Sequence, residues 1–305
     1  MIKLCFMNVE RLRILRELAD RGTVAAAASA LSLTPSAVSQ QLKLLAKEAG
    51  VTLLEPDGRR LRLTAAGHAL VLRADEVVSA LDRAAAEMAS YSNSPRGRVR
   101  VALFPSGAAL LLPGVLGRLS ESGTRLDASD EDLPASSASA LLADYDVVLT
   151  HRDDVAPATA AMRIEVVPLM REPIDLVLPP DHALAEQDSV DVRELADERW
   201  ISVRGGFPVD DVLLSVAAAT GVQPRVVQRI NDFRVTEELV ARGHGVALMP
   251  RYAVVHPLLV RLPLKGVKAG RIYELVTRPG ANRLPAVAAV IEAFRAEASQ
   301  VSGNA

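Results

Sequence analysis

Near residue 98 the hydrophobic pattern of the chain changes period, and that change limits the folds open to it. Before about residue 90 the apolar residues recur at helical spacing. Leu12, Leu15, Leu18 and Ala19 form one such set, Val38, Leu42 and Leu45 a second, and Leu70, Val77, Leu81, Ala84 and Met88 a third, near-heptad one. From "RVRVALF" onward, short strand-like runs alternate with helical ones. Between the two regions "YSNSPRGR", 91–98, is a run of turn-forming residues. A helical front and an α/β body are therefore separate folding units, and 305 residues accommodate them at roughly 100–200 residues per domain.

The front resolves into three short helices. The first covers about 8–21 and stops at Gly22, and Thr23 can cap a second, Ala-rich helix that ends near Leu31. Thr34 is a good N-cap for the third, and Pro35 a good first residue because its missing N–H has no helical partner there anyway. Val38, Leu42 and Leu45 share the inward face, which leaves Ser36, Ser39, Gln40, Lys43 and Lys47 on the opposite one. "LEPDGRRLRLT" then reads as a tight hairpin around Asp57-Gly58 with Arg59, Arg60 and Arg62 on or beside it. Helix resumes from 64 to about 90, roughly 40 Å at 1.5 Å per residue.

In the body, "RVRVALF", "TRLDAS", "DYDVVLTH", "IDLVLP", "WISV", "PRVVQRI", "GVALMP" and "RIYELVT" read as strands. "SGAALLLPGVLGRLS", "ASSASALLA" and the stretches at about 209–220, 234–243 and 285–299 read as helices. Such alternation with short connections predicts a parallel sheet with right-handed crossovers.

Composition excludes several classes. Half the chain is hydrophobic but only 3% is aromatic, so the cores are built mainly from Ala, Val and Leu. A single cysteine, Cys5, rules out a disulfide framework within the chain and fits a reducing compartment. No apolar run reaches the roughly 18 residues that span a bilayer. "MIKLCFMNVE" is too short and too soon charged for a secretory signal, so the expected location is the cytoplasm with no membrane partner, and Met7 is an alternative start. The net charge of −2 is uneven: residues 1–91 carry +2 and residues 92–305 carry −4, which points to the front for a polyanionic partner. The five histidines are scattered, with no HExxH, GxSxG, Walker A or paired CxxC, so no catalytic residue, metal or cofactor is expected.

Three short helices in 8–47 with a tight connection before the third match a helix-turn-helix, whose second helix of the pair enters the major groove. A plain solvated trihelical surface is the alternative, against which stand the arginine hairpin and the long helix. On the DNA reading, Thr34-Pro35 fixes the helix start and leaves backbone N–H groups directed at phosphate. Ser36, Ser39 and Gln40 reach base edges and Lys43 base or phosphate, while Arg59, Arg60 and Arg62 lie along the neighbouring backbone. With Thr23 these residues make up the expected double-stranded DNA contact set.

"GTVAAAASALSLTPSAVSQQLKLLAKEAGVTLLEPDGRRLRLTAAGHAL" resembles the winged helix-turn-helix and linker-helix start of a LysR-type transcriptional regulator. "PLMREPIDLVLPPDHAL", "LVARGHGVALMP" and "LPAVAAVIEAFRAE" resemble, more loosely, that family's effector-binding domain, a periplasmic-binding-protein-like pair of α/β lobes. The resemblance implies a winged helix-turn-helix domain over 1–63, a linker dimerisation helix over 64–91 and a hinge at 92–97. The effector-binding domain over 98–305 is then divided into lobe I (about 98–168 and 267–300) and lobe II (about 169–266). It further implies a homo-oligomer, a dimer of dimers on bent, pseudo-palindromic operators with T-A-rich half-sites. A small-molecule effector between the lobes alters the access of RNA polymerase. Three departures point to an altered operator or a weaker grip: Thr34 stands where the family often has Gln, Leu45-Ala46 where it has Leu-Glu, and Glu55-Pro56 near the wing's usual basic residue.

In a two-lobed α/β domain a ligand lies at strand C-termini and helix N-termini. That places Phe104, Pro105, Ser106 and Gly107 at the cleft, with the Ser106 hydroxyl and nearby N–H groups suited to a carboxylate; Ser106 as a simple N-cap is the alternative. Thr150 and His151 end a lobe I strand, His151 being equally readable as a surface histidine. Ser202, Arg204 and Gly205 come from lobe II, where Arg204 is either a bidentate anion partner or an interlobe salt bridge. A constitutive DNA-binding protein with a structural α/β domain, and less so a two-lobed α/β enzyme, are the rival functions.

Overall fold

Each of the first three helices is delimited by its own caps. Helix α1 (Val9–Arg21) begins where Asn8 accepts from the N–H of Glu10 at 2.8 Å, and α2 (Val24–Ala30) where Thr23 accepts from Ala26 at 3.2 Å. Helix α3 (Pro35–Ala49) has Pro35 in its first turn and Thr34 accepting from Ala37 at 3.2 Å, and ends at Gly50, whose φ of 71° a side chain rarely adopts. Val38, Leu42 and Leu45 are buried against Leu15, Leu18 and Ala27. Strands β1 (Leu54–Asp57) and β2 (Arg60–Leu63) pair antiparallel as the wing, Asp57 opposite Arg60. Helix α4 (Ala65–Ser90) closes this core with Val71 and Ala74. Its Val77, Leu81, Ala84 and Met88 remain exposed, an apolar stripe left uncovered among the described residues. The computed structural model describes residues 7–58, 60–90, 97–156 and 163–303, so the hinge expected at 92–97 lies outside it except for Gly97. Among the described residues no helix is long and apolar enough to cross a membrane.

The body is a pair of α/β lobes. In lobe I, β3 (Arg98–Leu103) runs parallel to β4 (Arg125–Asp130) and to β5 (Val147–Asp153), with α5 (Pro105–Leu119) and the single-turn α6 (Ala138–Leu141) as connections. Strand β6 (Glu165–Leu178) then crosses to lobe II. There the short β7 (Val190–Asp191), β8 (Arg199–Ser202), α7 (Pro208–Thr220), β9 (Arg225–Arg229), α8 (Phe233–Ala241) and β10 (Val246–Pro250) follow in order. After β11 (Val260–Leu262) and β12 (Leu264–Lys265), β13 (Gly270–Thr277) returns to lobe I and α9 (Pro285–Gly303) packs beside α5. The strand order β4-β3-β5-β13-β6-β10-β8-β9 joins both lobes in one curled sheet.

That sheet is mixed, which corrects the expectation of a parallel one. β3, β4 and β5 are parallel to one another, as are β8, β9 and β10, but β6 and β13 at the centre are antiparallel to each other and to their other neighbours. A chain that leaves one lobe and comes back must cross the boundary in opposite senses, and the two crossing strands pair with each other. The first half of β6, Glu165–Pro173, escaped the sequence reading because Pro168 and Pro173 interrupt it. Pro168 sits beside the register shift at Tyr273/Glu274, where a missing N–H is tolerated. The helix expected over "ASSASALLA" is reduced to a 3₁₀ turn and one α-turn, in keeping with the weak helix preference of its serines.

Each lobe has its own core. Val101, Leu103, Leu111, Leu275 and Phe294 fill lobe I, and Ile174, Leu176, Trp200, Val212 and Leu248 fill lobe II. Trp200 is the one tryptophan of the chain and is 1% exposed, so its emission reports lobe II alone. Replacing Leu248 with Ala in this core is expected to cost about 2–5 kcal/mol. The loss should appear as an earlier Trp200 fluorescence transition in urea with unchanged native far-UV circular dichroism.

Candidate functional site

Two surfaces carry the predicted site residues, one on α3 and one between the lobes. On α3 the aliphatic face is used up by the core, and Ser36, Gln40 and Lys43 are exposed while Ser39 is half-buried. The Thr34 hydroxyl lies 3.0 Å from that of Ser36, so the helix start presents a short polar row. Gln41 is occupied by Arg11, which donates Nε at 2.8 Å and also pairs with Glu48, fixing α3 against α1. Thr23 spends its hydroxyl on the α2 cap. On the wing, Arg62 is exposed and pairs with Glu55 at 2.7 Å; Arg59 and the side chain of Arg60 lie outside the described residues.

Between the lobes is a cavity of about 460 Å³. Its walls repeat one local motif. Phe104-Pro105 starts α5 in lobe I and Phe207-Pro208 starts α7 in lobe II, in each case with Phe at the N-cap and no side-chain cap. Proline suits the first helical position, and a phenylalanine side chain cannot accept from the first-turn N–H groups, so both helix starts, which line the cavity, lack a side-chain cap. Gly107 lets α5 approach its own start: a Cβ there would stand 2.5 Å from the Phe104 ring. Phe104 and Phe207 also flank His151, whose ring stacks on Phe104 at 4.1 Å and meets Phe207 edge-on at 6.3 Å.

Beneath the cavity lies a buried polar cluster. Arg271 on β13 donates Nε to Glu172 on β6 at 2.8 Å, and its Nη2 reaches the Tyr273 hydroxyl at 2.8 Å and Ser106 Oγ at 3.0 Å. Tyr273 donates to the same Glu172 oxygen at 2.8 Å, and the other Glu172 oxygen accepts from the N–H of Tyr252 at 2.8 Å. Burial pulls the Arg271 pKa down, but Tyr273 and Glu172 outweigh it and the guanidinium stays charged. Arg271 Nη1 stands 3.2 Å from His151 Nδ1. Burial first, and Arg271 second, push the His151 pKa well below 6.5, so the ring is neutral. With Nδ1 accepting from Arg271, the proton resides on Nε2, and that atom is buried with no hydrogen-bond partner among the described residues.

The predicted cleft residues divide accordingly. Phe104, Pro105, Ser106 and His151 line the cavity, and Gly107 supports it from behind. Thr150, next along β5, faces the opposite side of the sheet, toward Leu133 and Ala138. Ser202 is buried and donates to Asp210 at 3.2 Å, and Gly205 lies beside the same carboxylate. Arg204 takes the interlobe role: it pairs with Asp132 of lobe I, which also accepts from Asn231 at 2.9 Å, while the Arg204 N–H donates to Asn231 at 2.8 Å. Sequence reasoning missed Arg271, Tyr273 and Glu172, whereas Phe207 belongs to the loop Gly205-Gly206-Phe207 that "SVRGGF" offers from lobe II. A usable signal was the alternation in "RIYELVT", which puts Arg271 and Tyr273 on the same inward face as Leu275.

Comparison with known proteins places the chain in a family. The profile of the bacterial regulatory helix-turn-helix protein, LysR family, matches residues 9–68, and that of the LysR substrate binding domain matches residues 92–299. The transcriptional dual regulator GltC of Bacillus subtilis is 26% identical over 273 residues, covering 88% of this chain and 90% of its own. The DNA-binding transcriptional dual regulator OxyR of Escherichia coli is 28% identical over 295 residues, 95% of each. In structure, a full-length OxyR cysteine variant from Pseudomonas aeruginosa superposes with a TM-score of 0.65 at 20% identity, covering 95% of this chain and 98% of that one. A helix-turn-helix front followed by a two-lobed substrate-binding domain is thus a known pairing, and the chain belongs to the LysR family of DNA-binding transcriptional regulators.

Proposed function

We propose that this regulator reads a pseudo-palindromic operator through the outward face of α3 and answers to a small carboxylate held between its lobes. The observation that carries the ligand reading is the Ser106–Arg271–His151 set lying between two helix N-termini that lack side-chain caps. Helix N-termini favour an anion, and Ser106 Oγ and His151 Nε2–H add directed donors. The rest of the wall mixes the apolar Leu110, Val203, Val209 and Phe233, which with the two phenylalanines suit a ligand with a hydrophobic body, with the polar Asp132, Asn231, Asp232 and Arg234. Arg271, already neutralised by Glu172, supplies a fixed hydrogen-bond direction more than a free charge. Arg204 is engaged with Asp132 at the mouth and serves closure rather than ligand charge.

The exposed stripe Val77, Leu81, Ala84 and Met88 on α4 supports a dimer through paired linker helices, and a dimer of dimers through the effector domains. In such an assembly the ligand must bind one arrangement better than another, and that difference alters operator bending and the access of RNA polymerase. The cytoplasm is the fitting compartment for such a regulator. Several relatives are named as hydrogen peroxide-inducible activators, but Cys5 is the one cysteine of this chain. A disulfide within the chain therefore cannot be its signal. Catalysis is equally poorly served, because Ser106 faces an arginine rather than a base and His151 Nδ1 is committed to the same arginine.

Three outcomes test this reading. Replacing Ser39 and Gln40 with Ala should weaken binding to a duplex selected from a random-sequence library, by about 1–3 kcal/mol for each base-edge interaction removed; an unchanged gel shift refutes the assignment of that face. In a thermal-shift panel of aromatic and aliphatic carboxylates, a true effector at about 100 times its Kd stabilises by roughly 2.7 kcal/mol. Ser106→Ala should weaken it by about 0.5–1.5 kcal/mol, one hydrogen bond.

The third outcome concerns pH. The unfolded chain takes up a proton on His151 near pH 6.5 that the folded chain refuses, so the contribution is intact above that pH and lost as pH falls below it. His151→Gln should remove up to about 1.4 kcal/mol per pH unit from the acid-side slope of stability, read as the difference between variant and parent in urea at pH 7.5 and 5.5 (approximate settings).

A further inference from the structure

Asp20 near the end of α1 and Asp75 on α4 belong to the DNA-binding front, yet both pair with arginines of lobe I. Arg163 donates Nε and Nη2 to the two oxygens of Asp75 at 2.8 and 3.1 Å, and its Nη1 to Asp20 Oδ1 at 2.7 Å. Arg278, one residue beyond β13, places Nη1 2.8 Å from the other Asp20 oxygen and donates Nη2 to the carbonyl of Leu142. Asp75 is 2% exposed, and the Asp20 side chain 8%. Two flanking contacts extend the junction. The Ser79 hydroxyl of α4 donates to the carbonyl of Pro279 at 2.9 Å, and Arg21 of α1 reaches Asp144 at 2.8 Å and the carbonyl of Ala143 at 3.2 Å.

A buried carboxylate that loses its partner is left uncompensated, so such a cluster is either fully paired or opened and hydrated, with little between. Arg163 is the only one of the four residues that grips both carboxylates, one of them with a two-pronged fork. It therefore joins α1, α4 and lobe I at a single point. The cluster uses the side of α1 away from the recognition face, since Ser36, Gln40 and Lys43 stay exposed while it is formed. Pairing consequently orients the reading head without blocking it.

We infer that Arg163 is a positioning residue for DNA reading: by clamping Asp20 and Asp75 to lobe I, it sets the direction in which α3 is presented. Through this junction a rearrangement of the effector domain reaches the recognition helix directly, in addition to passing along the chain that links α4 to β3. A mispointed α3 can still meet one half-site. Two half-sites at fixed spacing require both reading heads to be aimed correctly, and the avidity of paired engagement is lost when geometry forbids it.

The inference rests on DNA binding by this chain, and its test separates the two. Hydrogen exchange on the full-length protein needs no DNA. Arg163→Gln should speed exchange of α1 and α4 amides next to lobe I by about tenfold or more, and Arg163→Lys, which keeps the charge but not the fork, by less. The Trp200 transition in urea should not move, showing that lobe II is intact. The variant should bind the library-selected duplex about tenfold more weakly but bind the same duplex with one half scrambled within about twofold of the parent. Unchanged exchange overturns the inference, and so does equal weakening on both duplexes, which would make Arg163 an ordinary support of the fold. A parent protein that selects no duplex refutes the operator reading instead, and leaves the exchange result to decide the clamp.

Discussion

The buried pair between Glu172 and Arg271 is the interaction on which the effector domain turns. It sits where β6 leaves lobe I and β13 re-enters it, and both residues are at most 1% exposed. Two charges taken out of water cost several kcal/mol each unless their geometry is good and their remaining donors and acceptors are met. Here they are largely met, by Tyr273, Ser106, His151 and the N–H of Tyr252. The demand for satisfaction is what draws those groups together. Ser106 at the α5 start, His151 at the end of β5 and the backbone after β10 are all held by one guanidinium–carboxylate pair. The floor of the cleft is therefore held by buried paired groups, while its mouth is bridged by Asp132, Arg204 and Asn231, which are more exposed.

The reading head follows a different logic. Its helices are fixed locally by caps and by an aliphatic face that meets in one small core, so the outward residues of α3 are free of structural duties. What the head lacks is an internal reason to point in any particular direction relative to the body. Asp20 and Asp75 provide one, by pairing across to Arg163 and Arg278 of lobe I. Among the described residues, two of the buried ionic clusters link separate parts of the fold, one joining the lobes beneath the ligand space and one joining the front to lobe I.

What could be read from the residues, and what could not, divides along the range of the interactions. The N-caps at Thr23 and Thr34, the inward set Val38, Leu42 and Leu45, and the wing at Asp57-Gly58 all depend on neighbours within a few positions, and they were legible. Most strands of the body were legible as alternating runs, while its division into two lobes was implied by the family resemblance. The first half of β6 was hidden by its prolines, and the antiparallel centre of the sheet was hidden because strand direction is not written in a strand's own composition. At the site, Ser106 and the Phe104-Pro105 helix start were recognisable from local chemistry. Arg204 looked like an anion partner because nothing nearby in sequence revealed Asp132, 72 positions earlier.

Residue order alone determined the three short helices with their hairpin, the long helix and an α/β body, because periodicity, capping and turn chemistry act over one or two turns of chain. The division of that body into two lobes was implied by the family resemblance. Tertiary structure decided which charges meet. Arg271 finds Glu172 across 99 positions and Ser106 across 165, and Arg163 finds Asp20 across 143. Pairings at that distance are set by sheet order, register and the docking of one domain on another. An arginine in a sequence carries its charge with it, but only the fold decides which carboxylate answers it.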